Sequence, residues 1–117
     1  MLTDPQSVTV NAVAQSMPRV SSSGTSSKYQ KADETFSLSI SHTKDKSGRI
    51  RSLARIDQRA IVQNPLDLTN DYDTLTWYVV LDRPSYGFTM TQAEQLATGF
   101  LAWLNTAMVD KIWGQES

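Results

Sequence analysis

Three segments alternate apolar with hydroxyl or basic side chains at a period of two residues, which limits each to a strand with one buried face and one wet face. In residues 36–43, Phe36, Leu38 and Ile40 share one parity, while Ser37, Ser39, Ser41 and Thr43 occupy the other. After a polar turn at 44–48, Ile50, Ala54 and Ile56 alternate with Arg49, Arg51 and Arg55. The third run places Leu75, Trp77, Val79 and Leu81 opposite Thr74, Thr76 and Tyr78. Parallel sheets buried on both faces read as unbroken apolar runs, so this pattern predicts an antiparallel sheet. Leu53 on the basic parity and Ser52 on the apolar one make the middle of the second run the weakest point of the register.

A chain of 117 residues suits one domain, predicted over 1–117, with an N-terminal hairpin in 1–23, a sheet in 28–83 and helices in 90–113. No cysteine is present, so neither a disulfide nor a thiolate metal site can form. Apolar stretches are shorter than a membrane span, and the first residues lack the basic and apolar regions of a secretion signal, so a soluble, non-exported chain is expected. The formal charge of −1 hides an uneven distribution: six of the eleven basic residues lie in 44–59, against only Asp45 and Asp57.

Residues 6–14 alternate well enough to predict a first strand, and Pro18 restricts the next segment to an edge strand or a turn. The serine-rich stretch 21–27 reads as a loop, and 63–73, with its proline and asparagines, as a long exposed one. In the C-terminal third the period changes. Thr91 and Glu94 have capping-box spacing, predicting a helix start at Thr91. Beyond it Ala93, Leu96, Ala97, Phe100, Leu101, Trp103, Leu104 and Met108 form one broad stripe, and Asn105 is a candidate stop before a short second helix at 107–113.

One long helix and one short one cannot cover the apolar face of such a sheet. Laying the helices of a second copy across it would bury both surfaces, which predicts an obligate homodimer with Leu96, Phe100, Trp103, Leu104 and Met108 at its interface. The opposite face carries arginine forks suited to phosphate, hydroxyls that can donate to phosphate or accept from bases, and Tyr78, which can stack an unpaired base. Single-stranded or looped RNA fits a broad sheet better than duplex DNA does. A solvated strand face rich in Ser, Thr and Arg for solubility alone is the plainer reading of the same pattern.

The order of elements, with FSLSISHT, RIRSLARID, TLTWYVVLD and TQAEQLATGFLAWLN between residues 35 and 112, resembles the coat proteins of single-stranded RNA bacteriophages, the levivirus-like group. That resemblance implies an α+β fold: an N-terminal β-hairpin and antiparallel β-meander followed by two C-terminal α-helices. It also implies an interlocked dimer with a continuous ten-stranded sheet, the helices on the outer surface of an icosahedral shell and the open sheet face turned toward the genome. A loop at about 64–73 would surround the symmetry axes. The family binds stem-loops of its genomic RNA, for packaging and translational repression; carried over by strand position, the RNA-binding residues are Ser37, Ser39, Ser41, Thr43, Arg49, Arg51, Arg55, Thr74, Thr76 and Tyr78. The protein would reside in the virion, and in the bacterial host cytoplasm before assembly. A non-capsid homodimeric RNA-binding regulator is the alternative.

Catalysis finds little support. His42, the single histidine, lies on an apolar strand parity, and no phosphate loop, nucleophile elbow or paired-carboxylate site is present. Asp71 and Asp73 read as a solvated loop rather than a cation site. No cofactor, metal, membrane or small-molecule substrate is expected.

Overall fold

A computed structural model describes residues 2–117, so the first residue of the expected 1–23 segment lies outside them. Seven strands precede two helices: β1 (Gln6–Val10), β2 (Val13–Met17), β3 (Arg19–Ser22), β4 (Ser26–Gln30), β5 (Phe36–Lys44), β6 (Ile50–Gln63), β7 (Asn70–Arg83), α1 (Met90–Trp103) and α2 (Thr106–Trp113). The chain divides into two compact units, one ending at Arg83 and the other beginning at Pro84. This is the expected α+β class, with strands and helices segregated along the chain.

The larger sheet is a five-stranded antiparallel meander in the order β3-β4-β5-β6-β7, and β1 and β2 form a separate two-stranded hairpin. β6 and β7 pair at all fourteen positions, from Ile50 opposite Arg83 to Gln63 opposite Asn70, without a bulge. β5 pairs with β6 from Phe36 opposite Gln58 to Lys44 opposite Ile50, equally unbroken. A continuous register keeps each parity on one face through all three strands, so the alternation seen in the sequence becomes two chemically distinct surfaces.

Three successive turns of this sheet use the same chemistry. Asp33 accepts bonds from the amide and hydroxyl of Thr35, Asp45 from those of Ser47, and Asp67 from those of Thr69. An aspartate that bonds the backbone two residues on mimics a turn and holds it. The hydroxyl donors, aided by the amides, keep all three carboxyls below their ordinary value of 3.8. Gly48, at φ 89°, supplies the left-handed residue that closes the β5–β6 turn.

The connection between β6 and β7 is shorter than the expected loop at 64–73. It spans only 64–69, closed by Asn64 N–H to Thr69 C=O and Leu68 N–H to Asn64 C=O, both 2.8 Å, while Asn70–Asp73 continue β7. The predicted first strand is also divided. Asn11 and Ala12 stand at φ 51° and 62°, the two positive values that a two-residue hairpin needs between Val10 and Val13. β3 does not belong to that hairpin: beyond Pro18 it pairs with β4, so the sheet begins at Arg19 rather than at residue 28. Much of the serine-rich 21–27 stretch is strand, with a turn closed by Ser23 N–H to Ser26 C=O at 2.7 Å.

The core lies where the hairpin meets the sheet. Met17 and Tyr29 are fully buried and Phe36 nearly so, with Val8, Val10 and Leu38 packed around them. On the same sheet face, β7 leaves Leu75, Trp77 and Val79 at 52%, 42% and 49% exposure. Burial of apolar side chains is the main stabilising term in folding, and this half of the face has not received it within the chain.

In the second unit, the cap of α1 lies two residues before the predicted Thr91. Thr89 is its N-cap, and a capping box joins the Thr89 side chain to the Gln92 amide and the Gln92 side chain to the Thr89 amide. Thr-x-x-Gln and Thr-x-x-Glu overlap here, and the earlier pair begins two residues after Gly87, whose φ of 101° lets the chain turn into the helix. Asn105 does not end α1. Leu104 is the C-cap, and Asn105 caps α2 by accepting from the Met108 amide at 3.1 Å.

Candidate nucleic-acid interface

The unbroken register assembles the polar face in cross-strand rows. Lys28, Ser39, Arg55 and Tyr78 form one row, and Gln30, Ser37, Asp57 and Thr76 form the next. Thr43 stands beside Arg51, Ser41 beside Leu53, and Thr74 beside Arg59. Nine of the ten residues expected from the sequence therefore lie on β5, β6 and β7 with side chains on one face. The tenth, Arg49, precedes β6, and its Nε reaches Asp82, the neighbour of Arg51, at 3.0 Å.

The ambiguous pair in β6 conforms to the same register. Ser52 takes the apolar face opposite His42, where its hydroxyl and the His42 Nδ1 lie 2.8 Å apart, so two polar side chains satisfy each other. Leu53 takes the polar face opposite Val80, forming a small apolar island among hydroxyls and charges. His42 thus serves as a cross-strand hydrogen-bonding residue.

The basic side chains are only loosely held. Arg49 pairs with Asp82 and Arg55 with Asp57, both at 3.0 Å, and Arg59 lies 3.7 Å from Glu34; each arginine remains about half exposed. Exposed pairs such as Arg49 with Asp82 contribute little to stability. Arg51 makes no ion pair among the described residues.

Two carboxylates, Asp82 and Asp57, interrupt this surface of cations and hydroxyls, and Asp57 is the more enclosed. Its side chain is 17% exposed, and its Oδ1 accepts from the Thr76 hydroxyl at 2.5 Å and from Arg55 Nε at 3.0 Å. Oδ2 receives only the Ser37 hydroxyl, at 3.4 Å. Partial burial pushes its pKa up, but the donors from Thr76, Arg55 and Ser37 outweigh that and hold the carboxyl below 3.8. A shallow depression of about 250 Å³ opens beside it, lined in part by Glu34, Ser37, Arg55, Arg59 and Thr74.

Three members of this surface were not expected from the sequence. Asp57 entered only as a charge offsetting the basic run. Arg59 continues the parity of Arg51 and Arg55, and its guanidinium lies 4.0 Å from the ring centre of Tyr72, itself two residues before Thr74 on the same parity. Parity extended along the full length of β6 and β7 would have found both.

Of the residues expected at a dimer interface, Leu96, Phe100 and Trp103 lie along α1, exposed, with the rings of Phe100 and Trp103 stacked at 5.9 Å. Leu104 at the end of α1 and Met108 in α2 are half-buried. Neither helix carries a buried residue. Among the described residues no cluster of His, Cys, Asp or Glu could hold a metal ion, and no helix is long and apolar enough to cross a membrane.

A family model described as the coat protein of phage phiCb5 matches residues 3–84. Among solved structures, the virus-like particle of bacteriophage AVE019 is similar in fold, with a TM-score of 0.80 at 13% identity over 96% of this chain and 94% of that one. The virus-like particle of Beihai levi-like virus 21 gives a TM-score of 0.74 at 6% identity, covering 100% and 98%. That of bacteriophage ESE058 gives 0.70 at 8% identity, covering 99% and 98%. No curated protein matches the chain.

Proposed function

The chain belongs to the phage phiCb5 coat protein family, and from that membership we propose that it dimerises, closes into an icosahedral shell and binds stem-loops of a single-stranded RNA genome. As a phage coat protein it is a structural component of the virion, and its family is not an enzymatic one. The observation that carries the proposal is the uninterrupted pairing of β5, β6 and β7, which separates a hydroxyl and arginine surface from an apolar one across a single layer.

Dimer formation answers the exposed apolar half of the sheet. Leu75, Trp77 and Val79 on one copy, and the exposed Leu96, Phe100 and Trp103 on the helices of another, are surfaces of matching chemistry. β7 is also an edge strand of fourteen residues, a length that invites pairing with its own copy across a twofold axis. Such pairing would join two five-stranded sheets into one of ten strands and leave a continuous polar face. Helices would then lie on the outside of the shell and the polar face toward the genome.

On that face Arg49, Arg51 and Arg55 would neutralise phosphates, the hydroxyls of Ser37, Ser39, Ser41, Thr43, Thr74 and Thr76 would orient the backbone and bases, and Tyr78 would stack an unpaired base. Binding of one stem-loop would repress translation and mark the genome for packaging. The solved relatives are themselves virus-like particles, which supports shell assembly. Negative-stain electron microscopy of the purified protein tests it: uniform closed particles are expected, and discrete dimers under all assembly conditions would refute the shell.

A further inference from the structure

We propose that the depression beside Asp57 is a pocket for one unpaired guanine of the bound RNA, with the Asp57 carboxylate reading its Watson–Crick edge. The proposal rests on the polar face being the RNA surface and names what that surface recognises. A carboxylate within a phosphate-binding face opposes phosphate, and here there are two, Asp57 and Glu34, set against Arg55 and Arg59 in one small depression. Their charges offset one another, so a phosphate gains little in this place, whereas a base edge that carries both donors and an acceptor meets partners of both kinds.

Guanine fits this arrangement better than the other bases. Its edge presents two adjacent N–H donor groups and one carbonyl acceptor. Adenine and cytosine each turn a ring-nitrogen acceptor toward the carboxylate beside a single amino group, and uracil offers one N–H between two carbonyls. Asp57 Oδ1 is occupied by Thr76 and Arg55, but Oδ2 holds only the long Ser37 bond and retains acceptor capacity. The Arg59 guanidinium, held between Glu34 at 3.7 Å and the Tyr72 ring at 4.0 Å, stands at the same depression as a donor for the guanine carbonyl. The bonds from Thr76 and Arg55 also fix the carboxylate before any base arrives, so little ordering is left for binding to supply. Held below 3.8, the group is ionised at neutral pH and can only accept.

Fluorescence anisotropy with RNA-free, full-length protein tests this, using short oligouridylate strands that carry one central guanosine, adenosine, cytidine or inosine. The guanosine strand is expected to bind about tenfold more tightly than the all-uridine strand. Inosine, which lacks the exocyclic amino donor, should lose part of that gain. Asp57→Asn should abolish the preference for the guanosine strand over the all-uridine one. Equal affinity for guanosine and uridine strands, or full retention of the gain by inosine, would overturn the proposal, and both comparisons use the unaltered chain. A guanosine preference that survives in Asp57→Asn would equally assign the reading elsewhere. Failure of the RNA-face reading itself has a separate signature: Arg51→Ala would leave the affinity and salt dependence of the all-uridine strand unchanged.

Discussion

The two halves of the sheet's apolar face are built from the same kind of strand yet end in opposite states. Over β4 and β5, the hairpin of β1 and β2 seals Tyr29 and Phe36 against Met17. Over β7, Leu75, Trp77, Val79 and Leu81 stay roughly half exposed although they alternate just as regularly. Hydrophobic patterning therefore specifies that a face must be covered without specifying by what. One half is satisfied by a neighbouring segment of the same chain, and the other is the half proposed to receive a second copy.

The largest effect should come from attacking the sealed half. Phe36→Ala removes a core ring and should cost about 3 to 5 kcal/mol in urea unfolding; a loss below about 1 kcal/mol would erase the contrast between the halves. On the open half, Trp77→Ala should weaken self-association by about 2 to 4 kcal/mol, read by analytical ultracentrifugation. Phe100→Ala, on the helix proposed to cover it, should weaken association by a similar amount. If either variant associates like the parent, a second copy does not cover β7.

A smaller change separates the two faces instead of the two halves. Arg51→Ala should lower the slope of log affinity against log salt by about 0.7 for single-stranded RNA and leave dimerisation intact. An effect on dimerisation would mean that the polar face also contributes to the interface. The smallest effect is a titration. Asp33, Asp45, Asp57 and Asp67 all have folded pKa values below 3.8, so their contribution is fully present above that value and is lost as the pH falls through the lowered ones. Urea midpoints should be flat down to about pH 5 and then decline, with a shallower decline in Asp57→Asn.

The parity of residues 36–43, 49–56 and 74–81 made both faces legible, because an unbroken register carries a local alternation across the whole layer. Strand lengths were not legible in the same way. Ile61 falls on the polar parity opposite Tyr72, and Asp71 and Asp73 resemble loop residues, so the fourteen-residue pairing of β6 with β7 exists through partnership rather than through either sequence alone. Ala12 in a left-handed conformation carries no turn signal, which concealed the hairpin break. The surroundings of Asp57 come from Ser37 and Thr76, twenty and nineteen residues away, and no reading along one strand could assemble them.

Every strand of the five-stranded meander pairs with its neighbour in sequence, and this bears on how the protein is made. Local pairings close quickly, each hairpin in about 1 to 10 μs, and no strand waits for a distant segment to be synthesised. The sheet can therefore zip in the order of translation and be finished once residue 83 has left the ribosome. From that moment the apolar surface of β7 is in water and its edge is open. If a second copy covers that surface, as proposed, how long it stays open depends on protein concentration as well as on folding rate. High-level synthesis would thus shorten the interval in which a newly folded chain is vulnerable to misassembly.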